Sequence, residues 1–274
     1  MKKVIKWILI PIVTLIVLFL LIWVGLLAAR FIVYHEYISR GEAVSKIPGL
    51  HDGFVPQGLT HVKDEIYIHS GYNGKVAELY YVDGTASKHL IPTDESGKVW
   101  EGHGGGVAYA GDFVYMANDE KIIVFSYSDL QRAKDGEQVK CIDVMPVDTA
   151  ASFCFSDGNY LFVGEFYIAE KYEIDLSHAF TTPAGDEHRA LVSCYPLTEN
   201  GAIADPYPLY SISIDERVQG FAVCNDTYIL SRSWALNSST LEFYTGLLDS
   251  GTTIDVSGKS VPCTISTPPI IKAP

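Results

Sequence analysis

Three side chains of the kinds that move protons or hold anions stand near strand ends in a recurring pattern, His103 just before a first strand and Glu165 and Arg232 at the ends of second strands. Glu165 or His103 could act as general acid or base, with Arg232 stabilising a developing oxyanion. Asn118 and Glu165 carry oxygens of the type a hard cation takes, so they form a candidate calcium pair, although calcium asks for about six to eight such ligands. Gln57, Ser70, Asn118, Ser152 and Gln219 could bind a ligand through hydrogen bonds, and Trp234 offers an aromatic face. The competing reading of Glu165 and Arg232 is an ion pair between neighbouring sheets. The chain contains no GxSxG, HExxH or P-loop pattern, and the glycines at 104–106 lead into a strand rather than a phosphate-binding helix.

What would bring these residues together is a repeat. Gln57-Gly58-Leu59-Thr60 through Ser70 aligns with Gly105-Gly106-Val107-Ala108 through Asn118, Gly58 and Gly106 being 48 positions apart. The same register returns at Ser152–Glu165 and at Gln219–Arg232. Each unit opens with small residues, runs into an apolar strand, turns at Asp64, Asp112, Asn159 or Asp226, and returns as a second apolar strand. Two further strand candidates follow in every unit: 76–82 and 88–91, 122–127 and 139–144, 190–195 and 209–214, 240–244 and 264–272. Four strands per repeat at this period predict an all-β chain, a β-propeller of four-stranded blades. Four blades are visible, and a ring of five or six is expected, because the last residues resemble the lead-in to a further blade. In that geometry the starts of the first strands (Gln57, Gly105, Ser152, Gln219) and the ends of the second (Ser70, Asn118, Glu165, Arg232) gather at one channel mouth. The glycines at 58, 106 and 220 suit innermost strands that crowd one another; Phe153 interrupts their column.

Residues Trp7 to Ala29 carry no charge, and a helix of that length reaches about 34 Å, enough for a hydrocarbon core of about 30 Å. Lys2, Lys3 and Lys6 precede it, which predicts a cytoplasmic N-terminus and an outward-facing body in a single-pass protein of the cell membrane. The expected organisation is a short cytoplasmic segment at 1–6, a transmembrane helix at 7–33, a juxtamembrane linker at 34–53 and the propeller at 54–274. A cleaved signal peptide is the rival, disfavoured by the length of the apolar run.

Removing the four cations Lys2, Lys3, Lys6 and Arg30 from the formal −13 leaves −17 beyond the helix, a surface that repels nucleic acid. The five cysteines are irregularly spaced and read as buried small hydrophobes rather than a disulfide framework. One long insertion, 166–189, departs from the repeat, and it could fold over the channel mouth and carry His178, Asp186 or His188 inward.

Val55-Pro56-Gln57-Gly58-Leu59-Thr60 and Gly104-Gly105-Gly106-Val107-Ala108, with the apolar N-terminus, resemble a group of bacterial membrane-anchored propeller proteins. From Phe54 onward the pattern is more distantly similar to the superfamily of gluconolactonases, paraoxonases and NHL/YncE-type propellers. The resemblance implies a channel site, and in the lactonase branch a calcium ion held by Glu, Asn and Asp, of which Asn118 and Glu165 occupy comparable places. Here Pro56-Gln57-Gly58 replaces the Glu-Gly-Pro opening of gluconolactonases, and no channel Asp is evident. The expected function is an extracytoplasmic ligand- or protein-binding module; the alternative is a metal-assisted, lactonase- or esterase-like hydrolase.

Overall fold

The computed structural model describes residues 2–33, 35–235, 237–266 and 271–273. The chain divides into two compact units, Met1–Val44 and Ser45–Ala273. The first holds helix α1 (Lys2–Val33) and the short α2 (His35–Arg40). Within α1, Leu9–Ala29 is a 21-residue stretch of mean hydropathy 3.0, long and apolar enough to cross a membrane.

The second unit is built from β-strands. Strands β1 (Val55–Lys63), β2 (Ile66–Asn73), β3 (Val76–Asp83) and β4 (Ala86–Thr93) form one antiparallel sheet in sequence order. Strands β5 (Gly106–Ala110), β6 (Phe113–Ala117) and β7 (Lys121–Ser126) begin the second, and helix α3 (Tyr127–Arg132) follows. Two short strands come next, β8 (Glu137–Lys140) and β9 (Asp143–Pro146). The single strand expected at 139–144 is therefore split. Only β9 completes the second sheet, whereas β8 adds to the first, parallel to β4. The reason lies in α3. Its buried Leu130 docks in the first core, and Lys88 Nζ donates to the carbonyls of Leu130, Gln131 and Ala133 at the helix end, at 2.8–3.2 Å. That anchorage delivers the chain to the β4 edge.

The third sheet starts with β10 (Phe153–Ser156) and β11 (Tyr160–Gly164). The insertion carries a small hairpin, β12 (Phe180–Thr181) with β13 (Glu187–His188), before β14 (Ala190–Pro196) and β15 (Tyr210–Ile214) complete four strands. The fourth sheet contains β16 (Val218–Cys224), β17 (Thr227–Arg232) and β18 (Thr240–Tyr244). A hairpin of β19 (Leu247–Val256) and β20 (Lys259–Ser266) then returns to the third sheet, with β20 parallel to β15. Strand β21 (Ile271–Ala273) pairs with β18. Of the segment expected at 264–272 as one strand, 264–266 belongs to β20 and 271–272 to β21, in two different sheets, and 267–270 lie outside the described residues. Ile254, Val256, Val261 and Cys263 alternate with polar neighbours and bury one face against Leu191, which draws the hairpin there.

Alternation also explains the stacking. In the second sheet Val114, Met116, Ile123 and Phe125 fill the core shared with the first sheet, while Tyr115, Ala117, Ile122 and Val124 fill the core shared with the third. In the third, Leu161 and Val163 face the second sheet, whereas Phe162 and Cys194 face the fourth. A sheet covered on both faces needs continuous apolar strands, which is what these segments are. Burying each large side chain contributes about 1.5–3 kcal/mol.

The first strands lie beside one another, β5 touching both β1 and β10, and β10 touching β16. A Cβ on Gly58 would stand 2.7 Å from Gly106 Cα, and one on Gly106 would stand 2.4 Å from Cys154 N and 2.8 Å from Phe153 Cα. Phe153 interrupts the glycine column because its ring covers Gly164 and joins Phe162 and Phe221 in the third core. That ring fills the gap toward the fourth sheet, and Gly220 accordingly meets nothing nearer than Ser231 Cβ at 3.6 Å. Gly106→Ala is expected to destabilise the protein by about 2 kcal/mol or more, since backbone must move, while Gly220→Ala stays within about 0.5 kcal/mol of wild type. Urea midpoints of the two variants check this contrast.

Candidate functional site

One cavity of about 320 Å³ opens where the strand starts and ends of the four sheets converge. The first sheet contributes Gln57 from β1 and Tyr72 from β2; the second contributes His103 and Gly105 ahead of β5, with Asn118 and Asp119 after β6. The third supplies Ala150, Ala151 and Ser152 ahead of β10, Phe166 after β11, and Tyr172 and Glu173 from the insertion. The fourth supplies Gln219 from β16 and Trp234 beyond β17. Of the residues singled out from sequence, Gln57, His103, Asn118, Ser152, Gln219 and Trp234 therefore share one wall. Ser70, Glu165 and Arg232 do not line it.

Each exclusion has a local cause. Strand β1 carries an extra residue, the bulged Val62 between His61 and Lys63. Counting back from the turn, Ser70 thereby pairs with Gly58 just as Ala117 pairs with Gly106, and the counterpart of Asn118 is Gly71. A one-residue slip turns the side chain to the other face. Ser70 is fully buried, and its Oγ would lie 2.6 Å from a Cβ at Gly58.

Glu165 is 2% exposed and spends both carboxylate oxygens on the protein. Oε1 meets His178 Nδ1 at 2.9 Å and accepts from Ala150 N at 3.3 Å, while Oε2 accepts from Leu191 N at 3.0 Å. Asn118 has the matching role in the second sheet: its Oδ1 accepts from Gly104 N at 3.0 Å and its Nδ2 donates to Glu101 O at 2.9 Å. Both residues brace the loop that precedes the first strand of their own sheet, and those loops form cavity wall. The oxygen pair considered for calcium is thus committed to protein donors. Among the described residues no group of three or more His, Cys, Asp and Glu could hold a metal ion. This donor set does not fit calcium.

Arg232 does not reach Glu165. Its Nη1 lies 2.8 Å from Asp215 Oδ2 and 3.0 Å from Glu242 Oε1, and its Nε donates to Glu216 O at 2.9 Å. The expected ion pair between Glu165 and Arg232 is replaced by two separate pairings, Glu165 with His178 and Arg232 with two acids. His103 is exposed at the cavity wall, 3.9 Å from Asp119 Oδ1 and edge-on to Tyr72. The three candidate catalytic groups occupy three different places.

The insertion does fold inward. A short 3₁₀ turn, Leu176–His178, capped by Asp175, buries His178 against Glu165. His188 is buried as well, with Nδ1 3.0 Å from Ser213 O, and burial holds its pKa below the ordinary value. Asp186 stays in its own turn, its backbone N–H bonded to Thr182 Oγ1. Phe166 and Tyr172 close round Trp234, with ring centroids 5.4–5.8 Å apart.

Sequence reasoning missed Tyr72, Asp119, Phe166, Tyr172 and Glu173. Asp119 and Phe166 directly follow candidates already in the strand-end column, and Asp119 with Glu120 forms a turn of positive φ (45° and 60°) that projects them past the sheet. Tyr72 becomes visible only once the Val62 bulge is known. Tyr172 and Glu173 lie in a segment without periodicity and give no such signal.

Burial by itself would lower the His178 pKa; the hydrogen bond and charge of Glu165, with Asp148 and Asp175, outweigh it and hold the imidazole above its ordinary value of 6.5. The folded state then binds this proton more tightly than the unfolded chain. Its contribution to stability is complete below pH 6.5 and disappears as pH rises through the folded value. The difference in urea midpoint between wild type and His178→Gln should therefore be largest below pH 6.5 and shrink as pH rises above it. A constant difference would exclude a charged pair.

No family model matches the chain, and no curated protein matches it. Solved structures similar to it at a low level include the following two. Kluyvelomyces marxianus Hsv2 shows 11% identity and a TM-score of 0.32 over 75% of this chain and 47% of that one. The extracellular domain of a one-component system from B. thetaiotaomicron shows 9% identity and a TM-score of 0.32 over 71% of this chain and 30% of that one. The chain spans less than half the length of either.

Proposed function

We propose that this protein is a membrane-anchored, outward-facing β-propeller whose sheets are blades and whose cavity binds a small-molecule ligand. The observation that carries the reading is the convergence of all four sheets on one aromatic and polar cavity of about 320 Å³. Four features support the propeller geometry: the repeated strand–turn–strand register, the side-by-side first strands, the glycine contacts between their backbones, and the alternating cores. The anchor is α1, and Lys2, Lys3 and Lys6 at its start favour a cytoplasmic N-terminus.

Binding rather than turnover fits the side chains present at the wall. Asn118 holds a loop, and Gln57 and Gln219 donate to the backbone oxygens of Pro56 and Ser233. The buried acid Glu165, bonded to the lining residue Ala150, is fully engaged by protein groups. The cavity offers rings, amides and hydroxyls, and its imidazole, His103, stands beside the exposed Asp119 and the edge of Tyr72.

Two experiments test this reading. Protease added to intact cells should digest the body and leave the N-terminus protected, and alkaline carbonate should leave the chain in the membrane; release by carbonate, or protection of the body, overturns the topology. For the cavity, intrinsic-fluorescence melting of the full chain in detergent is followed across a set of small cations, sugars and amino acids. A compound that raises the melting temperature of wild type but not of Trp234→Leu supports the site. Failure of all classes to discriminate between the two proteins removes it.

A further inference from the structure

The cavity wall is chemically one-sided. Its fourteen lining residues include two carboxylates, Asp119 and Glu173, and four aromatic residues, Tyr72, Phe166, Tyr172 and Trp234, but no Lys or Arg. Among the described residues neither carboxylate has a Lys or Arg ion-pair partner; Asp119 has only His103, at 3.9 Å. Lys121 reaches the main-chain oxygen of Asp119, at 3.5 Å. Glu173 accepts the backbone N–H of Glu170 at 2.5 Å, which leaves its negative charge unneutralised.

The ring cluster already attracts an ammonium. Lys171 Nζ stands 4.5 Å from the Trp234 ring centroid and 5.3 Å from that of Tyr172. Trp presents the strongest face for such a contact, and Phe166 and Tyr172 pack against it, Tyr172 edge-on. Lys171 does not itself line the cavity. The rest of the protein reinforces the sign of the field, since the chain beyond Arg30 carries a formal −17, that is −13 without the four cations of residues 1–30.

Resting on the cavity reading above, we infer that the ligand is a small organic cation, an alkylammonium held against Trp234 and Tyr172 with Glu173 and Asp119 as counter-charges. A neutral sugar would also use rings and amides, but it draws no advantage from two unpaired carboxylates or from the absence of a lining cation. An anionic ligand would face both lining carboxylates with no lining Lys or Arg to receive it.

The test uses the full chain in a polyoxyethylene detergent and isothermal titration with choline, tetramethylammonium, glucose and 3,3-dimethylbutan-1-ol, the uncharged carbon analogue of choline. Choline and tetramethylammonium are expected to bind saturably, with the uncharged analogue weaker by about tenfold or more. Trp234→Leu should weaken choline by about tenfold, and Trp234→Phe by less. Glu173→Gln, at an exposed position that folding tolerates, should weaken choline severalfold and reduce its sensitivity to salt. Equal binding of choline and its carbon analogue, or binding of glucose that depends on Trp234, overturns the cation inference while leaving the cavity as a site. Choline binding unchanged in Trp234→Leu and Glu173→Gln also overturns it. No saturable binding by either cation overturns it too, whether or not another class of compound binds.

Discussion

Backbone-to-backbone packing of the first strands is the contact from which the rest of this unit takes its form. Gly58 lies against Gly106, and Gly106 lies against Phe153 and Cys154, at distances that leave no space for a side-chain carbon. Strands that approach so closely oblige their sheets to stack, so each middle sheet is covered on both faces and each intersheet space becomes a separate apolar core. The same approach draws the loops that enter these strands to a common edge. The cavity lies at that edge, and its position follows from the packing.

The polar residues nearest the cavity divide into two kinds of work. Asn118 and Glu165 secure loops by accepting backbone N–H groups that would otherwise be buried without a partner, an omission that typically costs about 1–3 kcal/mol. Gln57, His103, Gln219 and the acids Asp119 and Glu173 are exposed and face the space itself. Position along the strand does not distinguish these kinds of work; burial does. A carboxylate at 2% exposure with an imidazole 2.9 Å away is a brace, whereas one on the surface of an aromatic cavity is available to a ligand.

The insertion links the two sets. It leaves the third sheet beside Glu165, returns His178 to that carboxylate, and on the way places Phe166 and Tyr172 round Trp234 of the fourth sheet. A single segment thereby supplies both the buried partner of a brace and a section of the cavity wall. Protonation of His178 and the arrangement of the aromatic cluster consequently belong to the same piece of chain.

Much of this was legible in the residues alone. The strand–turn–strand register, the apolar N-terminal helix, the free cysteines as buried packing (Cys224 excepted, which is exposed) and the glycine positions at 58 and 106 all follow from local periodicity and from the steric meaning of glycine. Six of the residues singled out by type and spacing line one cavity, because each stands near the start or end of a strand on the shared edge. What tertiary structure decided is everything that depends on a single residue of phase or on which surface lies opposite. The Val62 bulge turned Ser70 away from the edge and put Tyr72 there. The docking of Leu130 sent β8 to a foreign sheet, and Leu191 drew β20 to another. The partners of Glu165 and Arg232 come from segments 13 and 10 residues away, His178 and Glu242, at spacings that carry no periodic signal. Periodicity reports which face a side chain takes within its own strand. The identity of the group waiting on the other side is set only when the sheets pack.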